Sequence, residues 1–273
     1  MQLSISNIAW DTELDEAVAE MLSREGVHCI DIAPGKYFAD FATVTSDDIN
    51  AVRRFWEKHG IKVVGMQSLL FGTRGLNLFD RKTQPALLQH LKFVRRIAIA
   101  LGVERLTFGS PRNRDRTGLT DEQADAVAKS FFRRWDAMRE DGTSNPRLLL
   151  EPNPVLYGAN FLTTTESAIE FVSSLAIPSI GLQLDLGTMT VNGEKPEVID
   201  QSASVVGHIH VSEPNLVPVG TTNAPHAIYA KHLRMVPAKY LTIEMIEKKP
   251  ESQIEALKAS VQFVKHTYAE VLE

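Results

Sequence analysis

The chain has 273 residues, 44% hydrophobic and 23% charged, enough apolar material for one large α/β domain with a full core. Its formal charge of −5 offers no general attraction to a nucleic-acid backbone or an anionic membrane, and no run approaches the roughly 18 uninterrupted apolar residues of a membrane span. Cys29 is the only cysteine, which excludes an internal disulfide and fits a reducing compartment; its apolar surroundings predict inert packing.

The chain starts on a strand pattern at Met1, without a basic region leading into an apolar segment, so the expected address is the cytoplasm. Short β-type runs then alternate with longer amphipathic stretches, the pattern of βαβ units around a parallel sheet. Strands are predicted at Leu3 to Ile8, Val27 to Ala33, Ile61 to Ser68, Val103 to Gly109, Arg147 to Pro152, Ser179 to Leu186, Val206 to Ser212 and Tyr240 to Ile246. Helices are predicted at Thr12 to Glu25, Ser46 to His59, Thr83 to Leu101, Asp121 to Glu140, Thr164 to Leu175, Pro196 to Ser202, Ala227 to Arg234 and Gln253 to Tyr268. Gly26, Gly60 and Gly102 each stand between a helix and a strand, where a left-handed cap is needed.

Eight such repeats match the size of a closed (β/α)8 TIM barrel, one domain over residues 1–273. An open dinucleotide-binding sheet is disfavoured, because Asn7-Ile8-Ala9-Trp10 after the first strand carries no glycine fingerprint. The longest connections, 71–81, 110–120 and 213–225, all follow strands and so belong at the carboxyl ends, where barrels keep their chemistry.

Four late strands end in metal-ligand types: Glu151, Asp185, His210 and Glu244, separated by 34, 25 and 34 residues. In a parallel barrel these converge on one rim, where three carboxylates and an imidazole would repel one another and lose solvation without a divalent cation. The set suits Mn²⁺ or Mg²⁺ best, with Co²⁺ and Zn²⁺ also compatible. Strand alternation puts Gln183 and His208 one layer lower, as hydrogen-bonding groups that orient the ligands. Taken singly, Asp185 also reads as an Asx turn and Glu151 as a helix cap.

At these residues the chain resembles the xylose isomerase-like barrel superfamily, in particular the sugar phosphate isomerase/epimerase family that includes the ketose 3-epimerases. The motifs are Leu148 to Asn153, Gln183 to Thr188, His208 to Glu213 and Thr242 to Met245. The resemblance implies one metal held by Glu151, Asp185, His210 and Glu244, with Glu151 and Glu244 as the proton-transfer pair. It also implies a small carbohydrate substrate and leaves self-association into a homo-oligomer open. Tyr157, Thr188 and Leu216 stand where the epimerases usually carry Glu, His and Arg, while Glu213 keeps the acidic residue that binds substrate hydroxyls.

The expected activity is sugar or sugar-phosphate isomerisation or epimerisation through a metal-stabilised cis-enediolate. A dehydratase or hydroxy-keto acid isomerase on the same barrel, and a sugar-binding barrel without catalysis, are the alternatives. The abasic-site endonucleases among related barrels need more strand-end histidines and a basic face, and neither is present. Arg112, Arg114 and Arg116 in one loop, and Lys36 in another, are candidates to hold a phosphate or carboxylate. His226 is a candidate substrate contact, and the loop from Leu70 to Phe79, with glycine hinges at Gly72 and Gly75, suits a lid, or else rim packing or a dimer contact.

Overall fold

In the computed structural model, which describes residues 1–139 and 145–273, eight parallel strands close into one barrel in chain order. The strands are β1 Gln2–Ser6, β2 Cys29–Ile32, β3 Lys62–Met66, β4 Arg105–Phe108, β5 Arg147–Leu150, β6 Ile180–Asp185, β7 Val206–Ser212 and β8 Tyr240–Glu244. Around them run α1 Asp15–Arg24, α2 Ser46–Lys58, α3 Gln84–Leu101, α4 Asp121–Asp136, α5 Thr165–Leu175, α6 Leu186–Asn192, α7 Val198–Ser202, α8 His226–Leu233 and α9 Gln253–Thr267. No helix among the described residues is long and apolar enough to cross a membrane.

Helix entry follows local chemistry. Thr45 Oγ1 accepts from Asp48 N while Asp48 returns a carboxylate to Thr45 N, and Thr120 and Gln123 make the same reciprocal box on α4. The expected caps form at Gly26, Gly60 and Gly102, with φ of 68°, 70° and 73°.

Most element ends shift by a residue or more from expectation, and three of the differences have a visible cause or bear on the site. The first strand ends at Ser6, because Asn7–Ala9 coils into a single 3-10 turn whose Asn7 Oδ1 accepts from Ala33 N at 2.7 Å. The link from β6 to β7 holds two short helices rather than one, since Asp185 caps a helix that begins at once with Leu186. The fourth helix ends at Asp136, and Glu140, its expected end, lies outside the described residues.

Strand alternation sorts the side chains. Leu148, Leu150, Leu182, Leu184, Ile209, Val211, Leu241 and Ile243 belong to the main apolar core, the layer between barrel and helices. Their alternates, Glu151, Gln183, Asp185, His208, His210, Thr242 and Glu244, form the barrel's polar interior. Leu149 is an apolar member of that interior: it fills the space over Gly181 and Gly207, where any Cβ would collide with it. Leu149→Ala is therefore expected to leave a cavity in the barrel and lower unfolding free energy by about 3 kcal/mol, measured by guanidinium denaturation.

Candidate metal centre

The register of the last four strands gathers four groups at the carboxyl-terminal mouth. One ligand-type atom from each of Glu151, Asp185, His210 and Glu244 lies within 4.8 Å of all the others. His210 Nδ1 approaches both glutamates, 2.9 Å from Glu151 Oε1 and 3.3 Å from Glu244 Oε2.

The three acidic residues are each held from behind. Asp185 Oδ1 accepts from Thr188 N and Oδ2 from Ser212 Oγ, both at 2.5 Å, so this carboxylate caps α6 and faces the cluster at once. Gly187 N donates to Ser212 Oγ at 2.9 Å, which fixes that hydroxyl. Gln67 Nε2 donates to Glu244 Oε1 at 2.5 Å. The buried Arg114 guanidinium donates to Glu151 O at 2.5 Å and Gly109 O at 3.2 Å, clamping the two chain turns together. Gly109 has a second duty, because a Cβ there would overlap Glu151 Oε2.

Burial and like charge act together on these groups. Asp185 is pushed up to about 7 by burial and by the Glu151 and Glu244 carboxylates, and burial raises Glu151 as well. Burial opposes charge on His210, yet Glu244 and Glu151 outweigh it and raise the imidazole well above its usual range. Burial would also raise Glu244, but His210 and Gln67 hold it below the usual carboxylate value. The pocket demands positive charge, and its three carboxylates and one imidazole nitrogen are the donor chemistry of a hard divalent cation.

A second polar layer lies underneath. His208 Nε2 is 2.7 Å from Asp31 Oδ2 and 2.9 Å from Thr242 Oγ1, and Asp31 Oδ2 is 4.0 Å from His210 Nε2. Thr107 Oγ1 donates to Gln183 Oε1 at 3.0 Å. Burial lowers the His208 pKa, and although burial would raise Asp31, the neighbouring imidazoles hold it below its usual value. Gly65 makes this layer possible, because a Cβ there would sit 2.5 Å from the Asp31 carboxylate.

A family model described as xylose isomerase-like TIM barrel matches residues 19–266. The chain belongs to the xylose isomerase-like TIM barrel family. Among solved structures, a D-psicose 3-epimerase determined in the presence of D-fructose is similar with a TM-score of 0.79 at 15% identity, over 98% of this chain and 99% of that one. An L-ribulose 3-epimerase gives 0.77 at 16% identity, over 99% and 96% of the two chains. A 3-keto-D-glucoside 4-epimerase from E. coli gives 0.74 at 13%, over 96% and 99%. At such identities the likeness shows the fold. No curated protein matches the sequence significantly.

Within this xylose isomerase-like barrel, the mouth holds a cavity of about 220 Å³ lined by Glu151, Glu244, Gln67, Thr107, Ser110 and Phe71 among others. The other expected contacts are turned elsewhere. Lys36 Nζ donates to the carbonyls of Asn7 and Trp10, and Arg116 is spent on Asn160 O and an ion pair with Asp121. Arg112 is exposed and lines no part of this cavity, and Arg114 is the buried clamp. Glu213 accepts from Gly220 N, Thr222 Oγ1 and His226 Nε2, while His226 Nδ1 meets the Tyr268 hydroxyl at 2.7 Å. That buried pair staples the loop after β7 to α8 and α9 instead of facing the cavity.

The loop after β3 divides its duties, with Leu70 and Leu78 packed down and Phe71, 84% exposed, at the cavity's edge. Asn113 pins this loop by donating to Leu76 O at 2.7 Å and accepting from Leu78 N at 2.8 Å. Sequence reasoning missed Asp31, Gln67, Gly109 and Ser212. Of these only Asp31 carries a sequence signal, a charge in the middle of the apolar strand Cys29-Ile30-Asp31-Ile32.

Two outcomes are expected. Gly109→Ala displaces the Glu151 carboxylate and abolishes manganese uptake measured by calorimetry, whereas Arg112→Ala leaves it unchanged. Manganese at about 100 times its dissociation constant raises unfolding free energy by roughly 2.7 kcal/mol, read as an upward shift in Tm that a chelator reverses.

Proposed function

We propose that this chain is a divalent-metal-dependent sugar isomerase or epimerase acting on a neutral monosaccharide. Glu151, Asp185, His210 and Glu244 hold the metal, with Mn²⁺ the favoured ion, and Glu151 and Glu244 move the proton. The carrying observation is that both glutamates border one small cavity and both approach the same nitrogen of His210.

When bound, the dication supplies a Lewis acid that polarises a substrate carbonyl and its neighbouring hydroxyl, so the C–H between them becomes acidic. A substrate seated between the glutamates offers one face of that carbon to each. One carboxylate then removes the proton and the other returns one to the opposite face, which inverts the centre; a single carboxylate serving two adjacent carbons gives aldose–ketose isomerisation. The cavity lining supplies hydroxyl and amide groups from Ser68, Thr107, Ser110 and Gln67, and apolar walls from Leu69, Leu70 and Phe108. No Lys or Arg lines it, which favours an uncharged sugar over its phosphate ester.

Incubation of the manganese-loaded protein with a ketose panel in D₂O tests this reading. Exchange of one carbon-bound proton is expected, with the labelled carbon distinguishing epimerisation from isomerisation. Glu151→Gln and Glu244→Gln are each expected to lower the exchange rate by about 10²–10⁴-fold. No exchange with any sugar contradicts the assignment.

A further inference from the structure

Gln67 follows directly on β3, and its backbone N–H stays in the barrel ladder, donating to Ile32 O at 2.9 Å. The next residue, Ser68, holds a left-handed φ of 52°, a costly conformation for a residue with a Cβ, so the chain turns sharply at the cavity rim immediately after Gln67. The Gln67 side chain is 2% exposed, and its amide nitrogen donates to Glu244 Oε1 at 2.5 Å.

A carboxylate oxygen only accepts, so the amide must present nitrogen to Glu244 and is left with its oxygen for other use. Oε1 is buried and has no partner among the described residues. A buried carbonyl oxygen without a donor costs roughly 1–3 kcal/mol, and here it belongs to a residue that borders the cavity between Ser68, Thr107 and the two glutamates. A sugar bears hydroxyl donors on every carbon beside its carbonyl, which is the chemistry this oxygen lacks.

Resting on the function proposed above, we infer that Gln67 selects the substrate: its amide nitrogen anchors Glu244, and its amide oxygen accepts a hydrogen bond from one hydroxyl of the sugar. Through this one side chain a recognised hydroxyl and a proton-transfer carboxylate are held in fixed relation. A sugar lacking that hydroxyl leaves the oxygen unpaired, and discrimination follows from that desolvation.

The test is calorimetric titration of manganese-loaded wild type, Gln67→Met and Gln67→Glu with D-fructose and D-psicose and with their 3-deoxy and 4-deoxy forms. Wild type is expected to bind at least one ketose and to disfavour one of its deoxy forms. Gln67→Met should bind that ketose about tenfold more weakly and bind its deoxy form as wild type does. Gln67→Glu keeps an outward acceptor but replaces the N–H that anchors Glu244 with a second carboxylate, so deoxy discrimination should survive while proton transfer through Glu244 slows, read as a severalfold lower exchange rate in D₂O. Melting curves verify that the variants fold, and Gln67→Glu carries the test alone should the methionine variant misfold. The inference is overturned if Gln67→Met matches wild type on every sugar, if it loses the same factor on parent and deoxy forms alike, or if Gln67→Glu exchanges at the wild-type rate. Wild type binding no ketose at all overturns the proposed function together with this role, whereas an altered pattern confined to the variants bears on Gln67 alone.

Discussion

Negative charge concentrated at the barrel mouth is the constraint around which the rest is organised. Three carboxylates and an imidazole converge within 4.8 Å in a buried setting, and several close neighbours either supply a donor or make room. Ser212 and Thr188 donate to Asp185, Gln67 donates to Glu244, and Arg114 ties the β4 and β5 exits together behind Glu151. Gly109 and Gly65 contribute by having no side chain where a carboxylate must lie. Such a cluster favours a bound cation and a rigid scaffold, and closure of eight parallel strands provides the rigidity.

The same economy explains where the cations went. Lys36, Arg114 and Arg116 donate to backbone carbonyls, and Arg116 also pairs with the helix-start Asp121, so they brace the loops instead of facing a ligand. Glu213 and His226 likewise form a buried pair beneath the loop after β7. What is left lining the cavity is hydroxyls, one amide, two carboxylates and apolar wall.

The barrel and its four-group cluster were legible in the sequence because both rest on period and spacing. Strand alternation sends Glu151, Asp185, His210 and Glu244 to the same side and end, and four coincident strand ends are hard to produce otherwise. Asp185 met both of its readings, as an Asx-type cap on Thr188 and as a member of the cluster, because a carboxylate has two oxygens to offer. Roles set by how a loop turns were not legible. Arg112, Arg114 and Arg116 are adjacent in one charged loop, yet one is exposed, one is a buried clamp and one pairs with Asp121. The helix Leu186–Asn192 spans only 7 residues, too few for its period to stand out. Gln67 carried no signal at all, since an amide after an apolar strand is ordinary until its neighbour 177 positions away is known.

The central claim is that these four side chains grip one dication together. The most direct measurement is anomalous diffraction at the manganese edge from crystals grown with Mn²⁺. One anomalous peak is expected at the mouth of the barrel, within about 2.0–2.4 Å of an oxygen from each of Glu151, Asp185 and Glu244 and of His210 Nδ1. A manganese-soaked crystal with no peak among these residues, or with its peak held by other groups, would contradict it.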